Sequence, residues 1–168
     1  MNMKSAMLVI SAVGGLLMLV GAAIAEEKGV DWKALGAAKV TLEKGLAAAQ
    51  GKGKPISGKF EMDQGKLQLS VYTASKGKFS EVIVDYTSGK VSKRDQIKAG
   101  EDYSDSVAQS KAMAKAKKSL RAAVAKAVAG NPGYRAVSVV PSLEQGKPVA
   151  TVVLENATGT KTVSEKLD

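Results

Sequence analysis

The chain repeats one pattern of helix, strand, turn and strand, and this repeat constrains the fold more than any other feature. The first copy runs from about Leu35 to Val91 and the second from about Met113 to Leu167. Each contains a Gln-Gly-Lys turn, at 63–66 and at 144–147. Since a repeat defines the unit of folding, the sequence predicts two similar modules that present a surface. The apolar positions of the two helices are equally spaced: Leu35, Ala38, Leu42, Leu46 and Ala49, then Met113, Ala116, Leu120, Val124 and Ala127.

Histidine and cysteine are both absent from the chain. Histidine is the most common general base, and cysteine is the usual soft metal ligand. Their absence excludes Ser-His-Asp and Cys-His nucleophilic sites, Cys/His zinc sites, disulfides and His- or Cys-ligated haem. Catalysis would have to rest on carboxylates, lysine, tyrosine or serine. We therefore expect a protein that is not an enzyme and that uses no cofactor or metal.

Residues 1–25 have the pattern of an export signal. One positive charge at Lys4 precedes an apolar run from Ala6 to Ala22, and Ala23-Ile24-Ala25 is the small-x-small pattern of a cleavage site. The sequence predicts cleavage after Ala25 and a periplasmic or secreted protein. The alternative is an uncleaved membrane anchor at 6–25, because the apolar run is long enough to cross a bilayer if stretched.

The first module is expected at 26–92. Asp31 can cap a helix from Trp32 to about Gln50, which a Gly-Lys-Gly-Lys-Pro stretch ends. Strands are predicted at 59–62, 67–72 and 79–86, and in the second of these Leu67, Leu69 and Val71 should be buried while Gln68, Ser70 and Tyr72 face water.

The polar segment 93–105 is interpreted as a linker, and the second module is expected at 106–168. Its helix should run from about Ser106 or Ser110 to Ala129, where Gly-Asn-Pro-Gly ends it. Strands are predicted at 135–141, 149–155 and about 160–167. The predicted fold class is α+β, with two tandem modules, each one helix packed on a small antiparallel β-sheet. The sheets could join edge to edge.

Two short motifs resemble catalytic or nucleotide-binding sequences. The segment 53–59 fits most of the phosphate-loop pattern, but the next residue is Phe60 where Ser or Thr must reach magnesium. Ser75 and Lys78 have the spacing that begins a serine–lysine acyl-transfer site, yet the companion motifs are missing. Both are better interpreted as ordinary turn sequences.

Three features were weighed as binding sites. Glu101, Asp102 and Asp105 lack the spacing of a calcium loop and are interpreted as solvated or helix-capping charge. Trp32 is expected to cover the core. Lys111, Lys115 and Lys118 are predicted on one face of the second helix, where they form either a solvated polar face or a docking face for an acidic partner.

The segment Val82-Ile83-Val84-Asp85-Tyr86-Thr87-Ser88-Gly89-Lys90-Val91 closes the first copy. With the preceding helix and strands it resembles the PepSY family, whose modules close on an apolar strand, an Asp and a Thr-Gly-x-Val-like turn. The second copy is similar to a degenerate PepSY module that stops early. The resemblance implies a non-catalytic module of an exported protein, of the kind found in propeptides that restrain secreted metallopeptidases.

The formal net charge of +9 favours acidic partners. We expect the partner to be another envelope or secreted protein, including a peptidase. The alternative is an envelope structural factor held by its charge to an anionic surface. Nucleic acid is not expected, because aromatic residues for base stacking are few. Membrane contact is expected only if the N-terminal segment stays uncleaved.

Overall fold

The computed structural model describes residues 30–168, and the predicted export signal lies outside them. In the described part of the chain, no helix is both long enough and apolar enough to cross a membrane. The helices are α1 (Trp32–Leu35), α2 (Leu42–Ala49), α3 (Glu101–Lys115) and α4 (Leu120–Ala129), with a 3-10 turn at Gln50–Lys52. The strands are β1 (Lys54–Asp63), β2 (Lys66–Ser75), β3 (Lys78–Val84), β4 (Val91–Ile97), β5 (Arg135–Glu144), β6 (Lys147–Asn156) and β7 (Gly159–Lys166).

All strands belong to one antiparallel sheet in the order β4-β3-β2-β1-β5-β6-β7. The α+β class with an antiparallel sheet is therefore confirmed. The two segments that carry the repeated sequence pattern, called copies below, meet at the centre, where Gly58 pairs with Val139 and Lys59 with Ser138. The first copy supplies β1 to β4 and the second supplies β5 to β7. One sheet and one continuous core thus run through both halves.

The hairpins follow the sequence prediction closely. In β1–β2 the turn residues Gln64 and Gly65 have φ angles of 48° and 79°, and in β5–β6 Gln145 and Gly146 have 50° and 79°. Positive φ at both central positions is the turn geometry that matches the twist of a two-residue hairpin. Glycine adopts it without steric cost, so the repeated Gln-Gly pair sets the same strand register in both copies.

The two long helices that the sequence predicts are each interrupted, so the prediction of one continuous helix per copy is wrong. The first breaks at 36–41, and Thr41 then caps α2 by accepting from Lys44 N at 3.4 Å. The second breaks at 116–119, and Ser119 caps α4 by accepting from Ala122 N at 3.1 Å. A hydroxyl that satisfies a free N–H of the first turn stabilises a helix start even where the apolar spacing continues through it.

The segment 93–105, interpreted as a linker, has regular secondary structure. This stretch contains most of β4 and the first turn of α3. Strand β4 lies at the edge of the sheet and its residues are exposed or half-buried. An edge strand of this kind carries charge on both faces, which discourages pairing with other chains and hides the usual alternation.

The helices lie on opposite faces of the sheet. Ser57 Oγ donates to Gln109 Oε1 of α3 at 2.7 Å, while a Cβ at the adjacent Gly58 would lie 3.1 Å from Leu46 Cδ2 of α2. Neighbouring strand residues point to opposite faces, so α3 and α2 are separated by the sheet. Helix α4 packs beside α2. The predicted burial of the α2 and α4 faces is confirmed at Leu42, Leu46, Leu120 and Val124, which are at most 2% exposed.

In each copy, a backbone carbonyl near the end of the copy accepts hydrogen bonds from the segment that precedes α2 or α4. The carbonyl of Tyr86 accepts from Lys39 N and Val40 N at 2.9 and 3.0 Å. In the second copy the carbonyl of Leu167 accepts from Lys117 N and Lys118 N at 2.7 and 3.0 Å. The second copy therefore keeps this anchor although it ends without the Thr-Ser-Gly turn of the first.

Candidate binding surface

The region around the α3–α4 connection is strongly basic. Residues 106–143 contain no carboxylate side chain, and the short stretch 111–121 carries five cations. These are Lys111, Lys115, Lys117, Lys118 and Arg121, and all five are exposed. None of them forms an ion pair with a residue in 30–168. A patch of one sign without internal neutralisation attracts groups of the opposite charge.

The three predicted docking residues do not share one helix face. Lys111 and Lys115 lie on α3, whereas Lys118 lies in the 116–119 connection. Lys115 Nζ donates to the carbonyl of Gly146 at 3.3 Å, and Lys118 Nζ donates to that of Lys166 at 3.4 Å. The structure therefore spreads these cations around the α3–α4 connection, where the chain crosses from one side of the sheet to the other.

A cavity of about 320 Å³ opens beside this connection. Its cationic lining is Lys54, Lys117, Lys118 and Arg121, and none of residues 30–168 contributes a carboxylate to it. Lys54 comes from the start of β1, and its Nζ donates to the carbonyl of Met113 near the C-terminus of α3 at 2.7 Å. A lysine at this position satisfies a terminal carbonyl and complements the negative end of the helix dipole.

The two copies differ in charge at the start of the equivalent helices. Thr41 and Ser119 are the caps, and two positions later the first copy has Glu43 where the second has Arg121. A carboxylate stabilises the positive N-terminus of a helix, and a cation there is unfavourable. Arg121 therefore lowers the stability of α4 relative to a carboxylate, and it adds to the charge around the cavity.

The catalytic-like motifs occupy structural positions. Lys59, the last residue of the phosphate-loop-like segment, lies within β1 and pairs with Glu61 at 2.9 Å. Ser75 and Lys78 are paired residues that flank the β2–β3 turn. Glu101 and Asp102 belong to the first turn of α3, where acidic residues favour the helix. In residues 30–168 no cluster of acidic, His or Cys side chains could hold a metal ion.

A polar network on the α3 side of the sheet was not predicted. Ser70 Oγ donates to Glu61 Oε1 at 2.6 Å, and Gln68 Nε2 donates to Ser70 Oγ at 2.9 Å. Ser70 was expected to face water but is fully buried beneath these neighbours. Burial raises the pKa of the nearby Glu81, the Ser70 hydrogen bond opposes this, and the charge of Glu61 raises it further. The only sequence signal for this network is the alternation of polar residues along β1 and β2.

The closing turn of the first copy is tightly hydrogen-bonded. Asp85 Oδ1 accepts from Thr87 N and Ser88 N at 3.0 and 2.6 Å, and these bonds lower the pKa of Asp85. Gly89 has φ +76° and donates to the carbonyl of Asp85. The turn thereby places the Tyr86 carbonyl against the backbone N–H groups of Lys39 and Val40. Trp32 packs against the core, as expected.

A buried carboxylate leads to a prediction about pH. Glu155 is 9% exposed, and its Oε2 accepts no hydrogen bond from residues 30–168. Burial, and then the charge of Asp31, raise its pKa above the ordinary 4.5. The folded state thus binds this proton more tightly than the unfolded state, so stability falls as pH rises through the folded pKa. At pH 7 Glu155→Gln should raise the urea midpoint, and the gain should vanish in acid below the ordinary pKa.

Exposed Glu144 provides the matched control for that change. Glu144→Gln should shift the midpoint little, as an ordinary surface change does. A Glu155→Gln gain that persisted unchanged into acid would contradict an origin in the carboxylate charge.

Comparison with known proteins adds no relative: no family model, no curated protein and no solved structure matches this chain.

Proposed function

We propose that this chain is a non-catalytic, exported binding module of PepSY type, built from two tandem copies, that docks an acidic segment of another envelope or secreted protein. The basic surface around the α3–α4 connection is the contact site. The observation that carries the proposal is a group of exposed cations at 111–121 that form no ion pair with residues 30–168, in a stretch of sequence without carboxylates. A peptidase is the partner that the resemblance favours.

The arrangement of the surface supports docking of a protein. Lys111 and Lys115 project from a regular helix, and Lys118 is held by the backbone bond of its N–H to Leu167. Cations on a rigid support lose less conformational freedom when a partner binds. Tyr103 and Val107 are 40% exposed on the same helix and provide apolar contact area near the cations. Interfaces typically combine such apolar residues with a charged rim.

The alternative is attachment to an anionic envelope surface by charge alone. The same exposed lysines favour it, because cations near an anionic membrane each add about 1 kcal/mol. The two functions differ in their response to salt. Attachment by charge should disappear when the Debye length falls to about 3 Å near 1 M salt, whereas a packed protein interface should persist.

The test combines crosslinking with pull-down of the tagged protein from its native envelope fraction. Lys111→Glu, Lys115→Glu and Lys118→Glu together should abolish capture of the partner, and wild-type capture should survive at about 1 M salt. The control carries the same change in charge on three other exposed lysines, namely Lys44→Glu, Lys90→Glu and Lys98→Glu. This control variant should retain most of the partner capture that the wild-type protein shows.

Two outcomes would contradict the proposal. If both triple variants lose binding equally, net charge and not this surface is responsible. If the wild-type protein binds anionic vesicles and releases them at high salt while no protein is captured, the surface-attachment function replaces it.

A further inference from the structure

We infer that the cavity beside the α3–α4 connection binds the free C-terminal carboxylate of a polypeptide whose last side chain is apolar. The inference rests on the proposed function, because it specifies which part of a protein partner the module would hold. Its evidence is the cavity and its lining, which share Lys118 with the docking surface but do not include Lys111 or Lys115 of α3.

The cationic part of the lining comes from three different elements. Lys54 begins β1, Lys117 lies in the connection, and Arg121 lies in the first turn of α4. Within the described part of the chain, no carboxylate lines the cavity. Lys54 uses one hydrogen bond to the Met113 carbonyl, and an ammonium group has three donors. Donors thus remain for an anion that enters between these side chains.

The cavity lining gathers four cations, with no carboxylate among its described residues. The first copy avoids this, since Glu43 occupies the position equivalent to Arg121 and Val40 the position equivalent to Lys118. The second copy has a cation at both positions, although neither forms an ion pair in residues 30–168. Lys118 donates to the Lys166 carbonyl, whereas Arg121 opposes the charge preference of a helix start and forms no ion pair in residues 30–168. Broken local rules of this kind are expected at functional positions. An anion in the cavity would balance this positive charge.

Another part of the lining is apolar. Ala47, Pro55 and Ala116 are half-buried and offer apolar surface to the cavity, and the lining also includes Leu46, Met113 and Leu120, which are at most 3% exposed. A fully hydrated ion such as inorganic phosphate would leave this apolar surface without a partner. A C-terminal residue with an apolar side chain would place its carboxylate against the cations and its side chain against the apolar part of the lining. A volume of about 320 Å³ suits one terminal residue, since it lies at the lower end of ligand-pocket sizes.

The walls of the cavity are held in place before any ligand binds. Lys54 is tied to the end of α3, and the N–H groups of Lys117 and Lys118 are tied to the Leu167 carbonyl. Preformed walls reduce the entropy that binding would otherwise cost. Capture of a C-terminal carboxylate by a preformed site is a known mode of peptide recognition.

The test measures binding of a five-residue peptide with a fluorescent N-terminal label. Three forms are compared: a free acid ending in leucine, the same peptide as a C-terminal amide, and a free acid ending in glycine. The leucine acid should bind the mature protein at least about tenfold more tightly than the other two, a difference of about 1.4 kcal/mol. Inorganic phosphate and anionic vesicles should compete weakly.

The decisive variant is Arg121→Glu, which copies the charge of Glu43 in the first repeat. It should raise the melting temperature, because a carboxylate suits the start of α4, while it weakens binding of the leucine acid at least about tenfold. Loss of binding therefore cannot be ascribed to unfolding. Lys44→Glu, on exposed α2 surface, should leave binding unchanged.

Several results would overturn the inference. These are equal binding of acid and amide, equal binding of the leucine and glycine acids, equal competition by phosphate, or no binding of the leucine acid up to about 1 mM. The proposed function fails separately. If the peptide binds but no protein partner is captured, the cavity stands and the docking function falls. If a partner is captured through Lys111 and Lys115 but acid and amide bind equally, only the cavity inference falls.

Discussion

Removal of Leu167 and Asp168 should lower the free energy of unfolding by about 2–5 kcal/mol or more. Leu167 is fully buried, and loss of a buried leucine side chain alone has this cost. Its carbonyl also accepts from Lys117 N and Lys118 N, so the α3–α4 connection loses its anchor. Since a domain of this size is typically stable by about 5–15 kcal/mol, the loss should be large in urea or thermal unfolding.

Two controls separate the contributions of this terminus. Deletion of exposed Asp168 alone should have little effect. Leu167→Ala keeps the backbone carbonyl, so it should cost less than the two-residue deletion. If the deletion and Leu167→Ala are equally destabilising, the carbonyl anchor contributes nothing measurable.

Leu42→Ala should also lower the free energy of unfolding by about 2–5 kcal/mol. Leu42 is fully buried at the start of α2, where its side chain lies over Gly58 in the middle of the sheet. Gly58 has no side chain to fill the space that the leucine leaves, so the cavity should collapse poorly. Denaturant unfolding monitored by the fluorescence of Trp32 would measure the loss.

Lys44→Ala is the matched control in the same helix. Its side chain is exposed, and its substitution should change stability by no more than about 0.5 kcal/mol. A loss at Leu42 as small as this would mean that the packing of α2 against the sheet is wrong.

The hairpin turns and six of the seven strands in residues 30–168 could be predicted because their signals are local, whereas β4 was assigned to the linker. The Gln-Gly pairs at 64–65 and 145–146 determine turns whose residues adopt positive φ, and alternation of apolar residues locates the flanking strands. The apolar spacing also identified the buried residues Leu42 and Val124. The same spacing did not reveal the breaks before Thr41 and Ser119, since apolar residues continue on both sides of each break.

The basic surface was predicted only in part. The sequence located Lys111, Lys115 and Lys118 but placed all three on one helix. The cavity could not be predicted, because Lys54 lies more than fifty residues before the other cations and reaches them only when β1 lies beside the end of α3.

By itself, the sequence determined the hairpin turns and the α+β class of fold. These follow from residue identity and from contacts between near neighbours. Only the tertiary structure decided that both copies share one sheet, that α3 crosses the face opposite α2, and that Leu167 anchors the second copy. Each of these depends on groups far apart in the chain, whose pairing is selected by the burial and hydrogen bonding of the whole fold and not by any local pattern.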